Sequence, residues 1–247
     1  MRNDGAVSES IGFILILSIV MIGIAIVVLY GLPFIVTGQG SADMRNMEQT
    51  MIILQNDLST LSYRMAPFKE TSLQVLGGTM TVSRHSGEFK ISCGEETVYQ
   101  VMPGKIRYVS DLDRSRVAIE NGAVLTRPGS KTGSAVISEP RWYYDDPGKT
   151  LIISFVKIHT RDGSDRSLSG VGRVEMKRVS TETIHIDAAG RDVFIRYIPY
   201  ENEDYSVAWE NYMKGRHGMV LCIDGSYRCP DVDRLVIKTT SIQISGF

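Results

Sequence analysis

Cysteine is scarce in this chain. Three in 247 residues cannot make a disulfide scaffold, so a packed core must hold the fold together. Neither charge sign dominates: 27 basic residues face 28 acidic ones, which leaves no broad basic field for nucleic acid and no acidic tail. There is no Asn-x-Ser/Thr sequon, internal repeat or low-complexity tract. The four histidines, His85, His159, His185 and His217, lack metal-ligand spacing to one another or to a cysteine, and His159 and His185 read as ordinary strand positions. No G-x-S-x-G or H-E-x-x-H occurs. Lys131-Thr132-Gly133 and Ser154 to Lys157 match the K-T-G and S-x-x-K boxes of serine acyl-enzymes, but their order is reversed and the second falls in a strand. Carboxylate pairs such as Asp145-Asp146 and Glu95-Glu96 sit at turn signals, where solvation is their ordinary role. These absences point away from an enzyme. No catalytic residue, metal or cofactor is expected.

What the chain does have is Ile11 to Val36, about 26 residues without a charge. That exceeds the roughly 20 needed to span hydrocarbon, and only a helix closes its own backbone hydrogen bonds in lipid. Ser8 is a candidate N-cap and Glu9 lies in the first turn, where the helix dipole favours an anion. Gly31-Leu32-Pro33 is expected to kink or end the helix. A plain anchor, a removed signal and a leader cut before the helix are the three readings of this stretch. Arg2 on one side, against a near-cancelling Asp43 and Arg45 on the other, slightly favours a cytoplasmic N-terminus.

After a turn signal at Thr37 to Ser41, the apolar positions Met44, Met47, Met51, Leu54, Leu58, Leu61 and Met65 alternate by three and four, an amphipathic helix from about Ala42 to Met65. Two partners fit that seam: a coiled-coil neighbour, or the chain's own β domain, which three short heptads favour. From Thr71 the period becomes two. Gly77-Gly78, Cys93 to Glu96 and Asn121-Gly122 read as hairpin turns, and Thr150 to Thr160 as a central buried strand. Further strands are expected at Val171 to Ser180, Thr183 to Asp187, Val193 to Pro199, Met219 to Ile223 and Leu235 to Ile244. A helix over Glu203 to Lys214 interrupts them, its Tyr205, Trp209, Tyr212 and Met213 stripe reading as core. The turn Asp224-Gly225 sets Cys222 and Cys229 across a tight loop, a disulfide candidate outside the cell, with free buried thiols as the alternative.

The predicted class is α+β: a long N-terminal transmembrane helix, an amphipathic helix, and a mainly antiparallel β-sandwich with one short helix. The expected organisation is a short polar leader at 1–9, the transmembrane helix at 10–36, a linker and amphipathic helix at 37–66, and an extracytoplasmic domain at 67–247.

The run Gly5-Ala6-Val7-Ser8-Glu9-Ser10-Ile11-Gly12-Phe13 resembles the N-terminus of archaeal type IV pilin-like membrane proteins. Ala66 to Gly78 and the A-W-x-x-Y pattern at Ala208 to Tyr212 are similar to uncharacterised members of that group. The resemblance implies a prepilin peptidase cutting beside Gly5, Ala6 or Val7, although Asp4 stands where the family usually has a basic residue. It also implies a helix that stays in lipid or joins a filament core, where Glu9 meets a neighbouring subunit's amino terminus. The expected protein is a single-pass cell-membrane surface protein with a structural or interaction role. Its partners would be lipid and identical or related subunits, and not nucleic acid. The alternative is an anchored module that binds a surface polymer or a secretion or pilus assembly component. An exposed aromatic and polar groove in the head favours that alternative, and a closed surface favours a building block.

Overall fold

We describe a computed structural model over residues 4–129, 132–201, 203–217 and 219–246, with side chains from residue 11 onward except at 216 and 217. It divides into two compact units between Asp43 and Met44. The first is helical. Helix α1 spans Asp4–Ile26, and a π-helical turn occupies Val27–Gly31. Helix α2, Leu32–Tyr63, runs across the unit boundary.

The helix does not end at Pro33. Leu32 donates its N–H to the Val27 carbonyl, one residue further back than in an α-helix. Proline lacks an N–H and its ring crowds the carbonyl four residues earlier, and this wider turn makes the room. The turn expected at Thr37 to Ser41 is likewise helical. Thr37 Oγ1 donates to Pro33 O at 2.8 Å and Ser41 Oγ to Thr37 O at 3.2 Å, so both hydroxyls are satisfied within the helix rather than competing with it. The apolar side chains from Ile11 to Val36 are nearly all exposed, and this is one helix long and apolar enough to cross a membrane.

The second unit is the β-rich head. Its strands are β1 (Phe68–Ser83), β2 (Glu88–Cys93), β3 (Glu96–Val101), β4 (Lys105–Ser110), β5 (Arg116–Glu120) and β6 (Ala123–Arg127). They continue as β7 (Ala135–Ser138), β8 (Trp142–Asp145), β9 (Thr150–Thr160), β10 (Arg166–Ile198), β11 (Val220–Leu221) and β12 (Tyr227–Ser245). Helix α3, Ser206–His217, lies between β10 and β11. The α+β class stands, with a mostly antiparallel sheet.

The strands join in one hydrogen-bonded network whose main path runs β7-β6-β5-β4-β1-β10-β12-β9-β8. Strand length makes this possible. The first part of β10 pairs with β1 through Phe68↔Lys177 to Val82↔Arg166, and its last part pairs with β2 through Val193↔Cys93 to Ile198↔Glu88. One strand thereby carries two wings. The three strands expected between Val171 and Pro199 are this single strand, bent by register shifts at Arg178/Ser180 and Asp187/Arg191 where turns were expected. Gly77-Gly78 is also a bulge inside β1 and not a hairpin turn. Asn121-Gly122 is a true two-residue turn, with φ of 51° and 72°, the double-positive geometry that Asn-Gly supplies. The long β9, Thr150 to Thr160, is as predicted, but it runs parallel to β12 and only β8 lies beyond it.

Two hydrophobic clusters fill the head. The α2 seam lines one: Met47, Met51, Leu54, Leu58 and Leu61 are buried against β1, β4, β9, β10 and β12. Each such side chain contributes roughly 1.5–3 kcal/mol. Gln55 ties the same helix down by donating to Gly122 O at 2.7 Å and Glu139 O at 3.1 Å. The seam therefore belongs to the chain's own head. Only Met65, beyond the helix end, is exposed.

The second cluster is aromatic. Phe89 meets Trp209 at 4.9 Å, Tyr197 at 5.1 Å and Phe155 at 5.6 Å between ring centroids. Trp209, Tyr212 and Met213 of α3 point into it, which makes the α3 stripe core as expected. The helix begins at Ser206 rather than Glu203 because Asp204 Oδ1 accepts the Ser206 N–H at 2.8 Å and sets the start there.

Candidate functional site

A groove of about 980 Å³ opens where β9, β12, β10 and β3 meet the Arg84-His85 corner after β1. Its floor follows from strand alternation. The register sets Lys157 beside Ser241 and Ser241 beside Ser180, with Thr239 beside Glu182, so these residues share one face of three adjacent strands. The intervening Val156, Ile158, Thr240 and Ile242 are buried on the opposite face. Tyr99 of β3 forms the wall, its phenol 2.6 Å from Thr239 Oγ1. His159 Nδ1 lies 3.4 Å from Ser241 Oγ. The His85 ring stacks on Tyr200 at 5.5 Å.

The charges of the groove are uneven. Arg84, Lys157 and Arg161 line it, and none makes an ion pair among the described residues. Two acids line it as well. Asp162 is committed to its own loop, accepting from Ser164 Oγ at 2.7 Å and Arg166 Nη2 at 2.7 Å, which holds its carboxyl well below the usual range. Glu182 is exposed and without an ion pair among the described residues. Partial burial, with Lys157 nearby, pushes the His159 imidazole below its ordinary pKa and favours its neutral form.

A second polar cluster lies inside the head. Glu120 is 1% exposed at the end of β5; its Oε2 accepts the Gly87 N–H at 3.2 Å and its Oε1 accepts Trp209 Nε1 at 3.1 Å. Burial raises its pKa against these donors. Lys105, 3% exposed, and Arg107 both pair with Glu203 in the segment leading to α3. Burial pushes the Lys105 ammonium down to about 8, against the pull of Glu120. Burial first, and Glu120 second, raise the phenols of Tyr197 and Tyr205. With Glu120 and Lys105 this far beneath the surface, the cluster joins β4, β5 and the segment before α3 and offers no reacting atom to a substrate.

The residues singled out in the sequence are scattered by comparison. Gly5, Ala6, Val7 and Glu9 fall in the first turns of α1, and their side chains lie outside the described residues. Cys222 and Cys229 form no disulfide; both are free, as is Cys93. Register is the reason. Val220 faces Arg228 and Leu221 faces Tyr227, and Cys222 donates its N–H to Ser226 O at 2.8 Å, so Cys229 lies three positions past Cys222's partner. Three strand residues span about 10 Å, beyond disulfide reach. Cys229 instead points into the aromatic cluster, where burial raises its thiol pKa to about 11. Among the described residues no group of three metal-ligating side chains converges. Lys131 lies outside the described residues.

Of the groove residues, His85, His159 and Lys157 were noted in the sequence but not as parts of one site, and the others were not singled out. Together they come from five segments between Arg84 and Ser241, and no spacing links them. The one available signal was Lys157 and His159 interrupting the apolar run of β9 on alternate positions.

No curated protein and no solved structure matches the chain. A family profile covers residues 5–244, nearly the full length, and so takes in both the apolar helix and the head. On that match the chain belongs to DUF7289, a family of unknown function.

Proposed function

We propose that this is a membrane-anchored, pilin-like surface protein with a structural or interaction role, held in the cell membrane by α1 with its N-terminus cytoplasmic and the head outside. The carrying observation is the exposed apolar helix that runs, without a break in its backbone, into a second helix whose seam is buried in the head. The Ala6 to Phe13 resemblance supports peptidase processing beside Gly5, Ala6 or Val7, and assembly through Glu9 with identical or related subunits. N-terminal sequencing of the membrane-extracted protein tests this. A start at Ala6 or Val7 is expected, and an intact Met1 removes processing. Glu9→Ala is expected to impair assembly, measured by crosslinking in membranes, while insertion is retained; unchanged assembly removes that role.

A second reading has its own support. The open groove, with Tyr99 and unpaired cations, favours an anchored module that binds a surface polymer or an assembly component. Retention of the full chain, in detergent, on an envelope extract of its own cells tests it.

A further inference from the structure

We propose that the groove between β3, β9, β10 and β12 binds an acidic glycan, a polymer that carries sugar hydroxyls and acid groups together; this rests on the binding-module reading. Three observations narrow the ligand. The first is charge. Arg84, Lys157 and Arg161 line one groove with no ion pair among the described residues, in a chain whose basic and acidic residues otherwise balance. Unpaired cations gathered on one concave surface attract an anion and hydrogen-bond to it with charge assistance.

The second is Glu182. It stands in the same groove, exposed and without an ion pair among the described residues. A pure polyanion such as polyphosphate would bring like charge to this carboxylate and has no group to donate to it. A sugar hydroxyl donates to it directly. The ligand that satisfies both halves of the groove has acid groups for the cations and hydroxyls for Glu182.

The third is the floor. Ser180, Thr239 and Ser241 present hydroxyls on neighbouring strands, and His159 adds an imidazole. Such groups both donate and accept, as a ring of sugar hydroxyls requires. At about 980 Å³ the groove is large enough for several sugar units, which suits a chain rather than a small molecule.

The test uses the full chain in detergent micelles and measures binding by calorimetry. The probes are an oligogalacturonate, dextran sulfate, a neutral maltooligosaccharide and polyglutamate. Binding to one or both acidic glycans, with neither neutral sugar nor polyglutamate binding, is expected, and the stronger of the two identifies carboxylate or sulfate as the acid group. Lys157→Ala with Arg161→Ala should weaken that binding about 10–100-fold. Lys177→Ala, on an exposed position outside the groove, should leave it unchanged, and near-UV circular dichroism should show all variants folded. Equal binding of polyglutamate, equal binding of the neutral sugar, or no loss in the double variant would overturn the proposal. The envelope extract separates the two readings: retention that oligogalacturonate and dextran sulfate do not compete overturns the ligand class and leaves the binding module standing. Absence of retention and of glycan binding overturns both.

Discussion

The head holds two clusters of cations beside tyrosines, and they differ in one respect. Around Glu120, the charges are buried or half-buried and find partners: Lys105 and Arg107 meet Glu203, and Gly87 and Trp209 donate to Glu120. Around Lys157, the cations are exposed and make no ion pair among the described residues. Removing a partner from the first strands a charge away from water, whereas removing a cation from the second costs the fold almost nothing. The same residue types thus serve the fold where they are satisfied within it. Where they are left open they face outward for something else.

That contrast is open to measurement. Glu203→Ala should give one of the two largest effects, a loss of about 3 kcal/mol in urea unfolding, because it leaves Lys105 and Arg107 without their carboxylate. Leu54→Ala in α2 should cost about 3 kcal/mol by emptying a fully buried site, and it sharpens the comparison by calibrating apolar against ionic burial. Lys105 sets a pH signature. Its folded pKa of about 8 lies below its ordinary 10.5, so the unfolded chain binds more protons between those values and stability rises with pH there. From pH 8 to 9 the Lys105 contribution should be a gain of about 1 kcal/mol, opposed by a smaller loss from Cys229, whose folded pKa of about 11 lies above its ordinary value. Lys105→Arg, which cannot lose its proton in that range, should flatten it. Smallest of all, Lys157→Ala should shift unfolding by less than about 0.5 kcal/mol. A loss of 2 kcal/mol there would break the distinction between the two clusters.

Legibility in the sequence followed the range of the interactions. The α2 seam was readable because Met44 to Leu61 repeat on one helical face, and the Asn121-Gly122 turn because two adjacent residues supply its geometry. The unbroken strand β10 was not. Its bulges at Arg178/Ser180 and Asp187/Arg191 look locally like turns, and only pairing with β12 on one side and with β1 and β2 on the other keeps the strand continuous through them. The passage of the helix through Pro33 was hidden for a similar reason, since a π turn rescues it one residue upstream. Cys222 and Cys229 looked joined across a turn, and hairpin register separates them.

The groove is the extreme case. Arg84, Tyr99, Lys157, Glu182 and Ser241 have no local relation, and their proximity is created by a sheet order that places β10, β12 and β9 side by side. The sequence alone determined the apolar helix, the amphipathic seam and the α+β class, because these depend on runs and periods within short windows. The tertiary structure decided which charges would be buried in pairs and which left open, because that depends on contacts between strands far apart in the chain.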